Sequence, residues 1–580
     1  MKSQVAILFS LVTSVSLVLA GCGSAGIEES GEPPQPLTAS LTEEPLVNEQ
    51  TVISSFAGLR VEASDCSYGG EFKSIAALDE FTVKFSLCFP DPAFLSKVAS
   101  TALTIQPAEH LEATGGRPLE NPVGTGPYMV ETWEHNNRLV LKAFPDYWGE
   151  APKSETLIFR WDSDPAQRLL ALQSGRVDGI DDLDPSDFDL VSTDPGLQLV
   201  ERSDLNVMYF GFNNNPDIAG YDNSLNPFAN EKVRQAIAIG IDRQSIVDDF
   251  YPPGSMVATQ FTPCAIPNGC AGNPWYDFDP EIARLLLAQA GYPEGFETKI
   301  YYRNLPRSYI PQPKSVVENL QSQLKDHLNI DAEIVELDSN AFLEAATFGH
   351  LDGIHVLGWE ATIPDQTNFL DKHFGAGASA QFGDKFEDIT ESLAHAAQHA
   401  DNLERKPFYG EANNAIQQHV PAIPVAWGGS GVAYNAAVFG VQASPLKDEK
   451  FVNTGLPGQD TFTWSQDAEP ASLYCPDETD GETLRACGQI VEALYGYEVG
   501  STAVKPVLAE KCEPSDTLNE WTCTLRQGVR FHDGSFLDAN DVVESLLVQW
   551  DAANPLHTGD TGTFAFFHNF FGEFLNTPGQ

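Results

Sequence analysis

Hydrophobic positions along the chain follow two periods. Val316, Val317, Leu320, Leu324 and Leu328 recur at three- and four-residue spacing and predict a helix from about Lys314 to Leu328. Ala332, Ile334 and Leu337 come next among polar residues and predict a strand. Asp279-Pro280-Glu281 supplies an N-cap and a first-turn proline for another helix, with Leu285, Leu286 and Ala290 on its apolar side and Gly291 at its end. Asp538 caps a further helix whose apolar side is Val542, Val543, Leu546, Leu547 and Trp550. Helices and strands that alternate in this way predict α/β or α+β layers. No fixed-period repeat runs through the chain.

The first residues follow a different rule. After Lys2, the stretch Val5 to Ala20 is almost wholly apolar or small, and Leu19-Ala20-Gly21-Cys22 follows. The stretch is short for a membrane span and suits the apolar core of an export signal. LAGC resembles the lipobox of bacterial lipoproteins, which makes 1–22 a lipoprotein signal peptide and Cys22 the lipidated first residue of the mature chain. Residues 23–50, rich in Glu, Pro, Ser and Gly, read as a flexible tether. The plainer alternative is a secretory signal with a chance Cys. Either way the expectation is an extracytoplasmic protein; with the lipid it is held at the cell membrane.

Cysteine usage agrees with export. Of nine Cys, removing Cys22 leaves Cys66, Cys88, Cys264, Cys270, Cys475, Cys487, Cys512 and Cys523, an even set that suggests disulfides in an oxidising compartment. Pairing of neighbours is the simplest arrangement, above all Cys264–Cys270 around a turn and Cys512–Cys523 on a hairpin. No CxxC occurs and no His stands at ligand spacing beside these residues, so neither a metal nor a cofactor is expected.

Charge narrows the partners. With 33 basic against 82 acidic side chains the formal net charge is −49, which excludes nucleic acid, since phosphate binding needs clustered Lys and Arg. It equally opposes a basic amphipathic membrane helix. The acidic run Gly179 to Asp194 lacks the glycine and terminal glutamate of an EF-hand and reads as a solvated loop. No GxSxG, HExxH or P-loop occurs, so the chain is not expected to be an enzyme; a hydrolase would need a nucleophile or metal that the sequence does not display.

Several segments carry a family resemblance. GTGPY at Gly124–Tyr128 precedes DYWGEAP at Asp146–Pro152 and ALQSGRVDGI at Ala171–Ile180. GFN at Gly211–Asn213, PFANEKVRQAIAIGIDR at Pro227–Arg243, DPEIARLLLAQAGYPEGF at Asp279–Phe296 and GWEATIPDQTNFL at Gly358–Leu370 follow. LRQGVRFHDGSFLDANDVVES spans Leu525–Ser545. Together they resemble the solute-binding proteins of ABC importers, in the oligopeptide/dipeptide-binding family, across nearly the whole mature chain. The resemblance implies a two-lobed α/β periplasmic-binding-protein fold of the class with an extra domain. It also implies an ABC-transporter permease as partner, and His532-Asp533 in FHDG becomes a turn rather than an acid–base pair.

The order of the segments departs from the family. FHDG precedes GTGPY there and lies near the C-terminus here; about 460–577 resembles the family's beginning and about 52–455 the remainder, joined through Gly455-Leu456-Pro457-Gly458. This reads as a circular permutation, which surface termini permit; a truncated tandem array or a misassembled gene are the alternatives. Carried over, the first lobe takes 119–225 with a return segment at 431–484, the second lobe 226–430, and the extra domain 51–118 with 485–580.

The resemblance also assigns a ligand cleft. Arg307 falls at the position of a carboxylate-binding Arg, a role its planar fork of donors suits, and Trp359 at that of a pocket-lining Trp. Where family peptide binders hold the ligand's α-ammonium with an Asp, this chain has Thr362. A hydroxyl does not neutralise a buried ammonium, so either Glu360 or Asp365 substitutes or the ligand lacks a free amine. Glu469 of the EP motif, Trp464, Tyr495 and Trp427 belong to the cleft or to the core. The expected ligand is a peptide or other small polar solute; an oligosaccharide or other non-peptide ligand, or a sensory or chaperone-like role without import, are the alternatives.

Overall fold

The computed structural model describes residues 56–218 and 226–577; Cys22, the signal peptide and the tether fall outside these described residues. The predicted helices form. Pro313–Leu328 buries Val316, Val317, Leu320, Leu324 and Leu328 and stops where Asn329 turns left-handed at φ 52°. Ala539–Trp550 opens on a reciprocal cap: the Asp538 carboxylate accepts from the amides of Asn540 and Asp541, and the Asp541 carboxylate accepts from the Asp538 amide. Pro280–Gln289 forms behind its Asp279 cap, yet Ala283 and Leu287 carry its buried side and Leu285 is 63% exposed. Ala283 and Leu287 stand four apart and share a face, which turns Leu285 between them away from the core.

Three large sheets organise the described residues. The first lobe is a seven-stranded sheet in the order Tyr128–Glu134, Arg138–Ala143, Thr156–Trp161, Thr461–Gln466, Gly179–Ile180, Gly429–Asn435, Leu197–Ser203. The second is six-stranded: Met256–Val257, Ala422–Trp427, Asn206–Phe212, Ile354–Glu360, Glu297–Tyr302, Asp331–Glu336. A five-stranded end sheet takes Arg60–Glu62, Phe72–Asp79 and Thr82–Leu87 from one chain end and Glu520–Leu525 and Ala509–Pro514 from the other. Tyr495–Tyr497 and Val504–Pro506 pair as a separate hairpin.

The two chain ends share one core. Phe72, Ile75, Val83 and Phe85 pack with Trp521, Leu546, Trp550, Phe567 and Phe571. Backbone links cross as well: the Ala108 amide donates to the Asp541 carboxylate at 2.9 Å and the Gln106 amide to Ser545 Oγ at 3.0 Å. Asn206–Phe212, expected in the first lobe, lies instead inside the second sheet, where every one of its residues is buried between Ala422–Trp427 and Ile354–Glu360. An apolar run flanked on both sides by strands belongs at a sheet centre. All four neighbouring cysteine pairs, Cys66–Cys88, Cys264–Cys270, Cys475–Cys487 and Cys512–Cys523, are joined.

Candidate binding site

The chain passes between the two larger sheets twice, from Ser203 to Asn206 and from Trp427 to Gly429. The two crossings lie side by side: Asn206 Oδ1 accepts from the Gly428 amide at 2.7 Å, and Ser430 Oγ donates to Asp204 at 3.0 Å. Glycine is required here by close approach. A Cβ on Gly428 would stand 2.4 Å from the Ser308 carbonyl oxygen, and one on Gly429 would stand 2.4 Å from the Gly254 carbonyl. Two loops of the second lobe therefore press directly against the hinge.

On the first-lobe side the hinge is backed by charge. Arg202 reaches Asp181 Oδ1 at 2.8 Å and Glu449 Oε1 at 2.6 Å; Arg485 reaches Glu449 Oε2 at 2.6 Å and closes on Asp181 Oδ2. All four side chains are within 1% of full burial. Each carboxylate oxygen is held by a guanidinium. Burial pulls both carboxyls upward, but the two arginines prevail and hold them below the ordinary carboxylate range.

The second-lobe side is different. Asn206 Nδ2, Ser308 Oγ and Trp427 Nε1 are buried and make no hydrogen bond within the described residues. Asn206 Nδ2 and the Ser308 backbone carbonyl lie against Gly428, and Trp427 immediately precedes it, at the end of the sheet where Ile354–Glu360 also finishes. From that strand end the chain carries Trp359 and Thr362, which share a single clamp. Asn368 Oδ1 accepts from Trp359 Nε1 at 3.0 Å and from the Thr362 amide at 3.2 Å, while its Nδ2 donates to Thr362 Oγ1 at 2.8 Å. Thr362 Oγ1 thus accepts from the protein and keeps its own proton to donate. The His373 ring meets Trp359 edge-on at 5.2 Å, and burial pushes its pKa down to about 4, so it stays neutral.

The remaining predicted site residues divide sharply. Asp365 is buried in a two-pronged pair with Arg405, Oδ2 at 2.7 Å and Oδ1 at 2.8 Å, and also accepts from the Thr367 amide and hydroxyl. That occupies the Asp365 carboxylate. Glu360 is exposed. Arg307 is exposed too, on a loop anchored instead by Arg303, which donates to Tyr309 Oη and Ser339 Oγ, each at 2.8 Å.

Glu469 lies away from the hinge and pins the turn after Tyr128–Glu134, accepting from Trp133 Nε1 and the Asn136 amide, both at 2.9 Å. Trp464 is wholly buried among Tyr434, Phe451 and Phe462. Tyr495 is buried beside the end sheet, its hydroxyl accepting from the Cys512 amide at 2.9 Å. Trp427 alone of these four stands at the hinge. Sequence reasoning missed Asn206, Ser308 and Asn368, because an Asn or Ser, even within the Gly358–Leu370 segment that holds Asn368, carries no signal of the hydrogen bond it will lack or make.

The second lobe also meets the end sheet. Ile363, between Thr362 and Asp365, inserts into the core shared by the two chain ends. The hairpin after Tyr497 donates Thr502 Oγ1 to the Ala265 carbonyl inside the Cys264–Cys270 loop. Between these contacts runs a groove of about 720 Å3 bordered by Leu95, Tyr495 and Trp521 on one wall and by His399 and Arg405 on the other.

Comparison with known proteins places this arrangement. The model of the bacterial extracellular solute-binding proteins, family 5 middle, matches residues 47–381 and 503–564. The chain is 26% identical over 394 residues to the dipeptide-binding protein of Escherichia coli, covering 66% of this chain and 71% of that one. It is 28% identical over 397 residues to heme-binding protein A of Haemophilus influenzae, covering 67% and 70%. The solved structure of HbpA2 from Haemophilus parasuis superposes with a TM-score of 0.60 at 31% identity, covering 67% of this chain and 76% of that one.

Proposed function

The chain belongs to the bacterial extracellular solute-binding proteins of family 5, and from that premise we propose that it captures a carbonyl-rich peptide or other small polar solute at the hinge between its lobes. Captured solute is handed to an ABC-transporter permease. Members of the family bind and release rather than catalyse.

The observation that carries the ligand chemistry is the imbalance of hydrogen-bonding groups beside Gly428. Asn206, Ser308 and Trp427 present buried donors without partners, and Thr362 keeps a proton to give. Next to Trp359, Asp365 is committed to Arg405 and Glu360 faces solvent, so neither offers a buried free carboxylate. Donors without an anion favour carbonyl or carboxylate oxygens and disfavour a buried ammonium. The ligand is therefore a peptide with a blocked or solvent-facing amine, or a peptide-like solute lacking one. Lobe closure about the two crossings is the capture step, with Ile363 and Thr502 as contacts of the closed state.

A thermal-shift comparison of dipeptides with their N-acetylated forms tests this. Ligand at a hundred times its dissociation constant adds about 2.7 kcal/mol, a shift of a few degrees. N-acetylated dipeptides are expected to stabilise at least as well as the free ones. Stabilisation by free dipeptides that acetylation abolishes would overturn the reading, as would a response to oligosaccharides alone.

The chain order enters the same proposal. A circular permutation is supported by the end sheet, built from strands at both chain ends, and by Thr461–Gln466, which occupies the middle of the first sheet between Thr156–Trp161 and Gly179–Ile180. The extra domain is then 51–118 with 485–580. Deleting 485–580 is expected to abolish cooperative thermal unfolding; a sharp transition in the truncated chain would contradict it. The LAGC sequence ending at Cys22 supports attachment of this receptor to the membrane by lipid.

A further inference from the structure

Away from the hinge, a second cavity of about 130 Å3 lies between the first lobe and the Tyr495–Pro506 hairpin. Its charged lining follows from chain alternation. Glu449 turns into the arginine-bound ring described above, while its neighbours Asp448 and Lys450 line the cavity; successive residues of an extended segment face opposite ways. The ring therefore anchors, from behind, the segment that carries an anion and a cation into this void.

Those two charges attract each other but do not touch, and no ion pair within 4 Å joins them. Lys450 Nζ contacts only the Gly488 carbonyl at 3.1 Å and Thr101 Oγ1 at 3.5 Å, and no carboxylate among the described residues comes within 4 Å of it. Asp448 accepts from Ser444 Oγ at 2.7 Å and has no cation at that range. Burial lowers the Lys450 pKa and raises that of Asp448, the direction expected of charges short of partners. A third unspent group completes the set: Thr104 lines the same cavity, is 2% exposed, and its hydroxyl makes no hydrogen bond. Glu492, also in the lining, accepts from Thr125, Tyr147 and Trp148 without touching Lys450, and Glu498 and Lys505 add two further charges to the lining.

We propose that this cavity is a second binding site, distinct from the hinge, that takes a small zwitterion: its carboxylate on Lys450, its ammonium on Asp448 and a hydrogen bond from Thr104. The volume has room for about four waters, or for a molecule of roughly five heavy atoms. That is the size of glycine or β-alanine.

Saturation-transfer NMR titration of the full chain with glycine, β-alanine, acetate and methylammonium tests the site directly. Glycine or β-alanine is expected to saturate in the low-millimolar range, with acetate and methylammonium at least about tenfold weaker. Lys450→Met should weaken zwitterion binding at least about tenfold while leaving the response to N-acetylated dipeptides unchanged. Should Lys450→Met fail to fold, Thr104→Val carries the same test with an expected loss of about threefold. No saturable binding below about 10 mM, undiminished binding in the variant, or acetate matching glycine would each overturn the proposal. None of these results bears on the hinge site.

Discussion

The two sides of the hinge treat buried polarity in opposite ways. On the first-lobe side Asp181, Arg202, Glu449 and Arg485 close a ring in which each carboxylate oxygen is taken, leaving only Arg202 Nε without a partner. On the second-lobe side Asn206, Ser308 and Trp427 keep buried donors that nothing in the described chain accepts. An unsatisfied buried group costs about 1–3 kcal/mol. A fold that completes four charges on one side and leaves three donors open on the other has separated scaffold from site. The ring makes one lobe rigid at the crossing, and the open donors are groups that a ligand can complete.

Breaking the ring is the largest test of that contrast. Arg202→Met leaves Asp181 and Glu449 buried with half their partners, an expected loss of about 3–5 kcal/mol in denaturant unfolding. A loss below about 1 kcal/mol would remove the ring from the scaffold. The pH dependence has a fixed sign. Both carboxyls sit below their ordinary pKa in the folded chain, so their contribution is present above the carboxylate range and is lost as pH falls beneath it. Arg202→Met should flatten that acid limb.

The ring also marks where sequence reading reached its limit. Helix caps at Asp279 and Asp538, the apolar stripe from Val316 to Leu328 and the neighbouring disulfides were legible, because each rests on a local rule. The ring joins residues 181, 202, 449 and 485, and no local rule links them. Asn206–Phe212 was assigned to the wrong lobe because the strand follows its predecessor closely, and the lobe boundary falls in the few residues between. Trp359 and Thr362 were singled out through a motif, and Asn368 joins them. The pairing of Asp365 with Arg405 was not legible, because the two lie forty positions apart.

Ser308→Ala sharpens the contrast from the other side. It deletes only a hydroxyl that has no partner, so stability should hold or rise by up to about 1 kcal/mol, opposite in sign to Arg202→Met. Calorimetry with an N-acetylated dipeptide should then show affinity reduced about fivefold to tenfold. Loss of stability with intact affinity would make Ser308 part of the scaffold.

Not every unsatisfied group on the second-lobe side is open to a ligand, and Asp371 separates the two cases. Its Oδ2 is buried without a partner, and burial pushes its pKa up to about 7 despite the pull of Arg405. The folded chain therefore meets this deficit with a proton. A carboxyl raised on folding leaves stability intact below the ordinary carboxylate range and erodes it as pH climbs through the folded pKa. Asp371→Asn removes that erosion, so its gain in stability should be about 2–3 kcal/mol larger at about pH 8 than at about pH 5. Affinity for the N-acetylated dipeptide should stay as it was. If affinity fell instead, Asp371 would join Ser308 among the groups that a ligand completes, and the open side of the hinge would extend from Gly428 past Trp359 to the helix Leu370–Phe374.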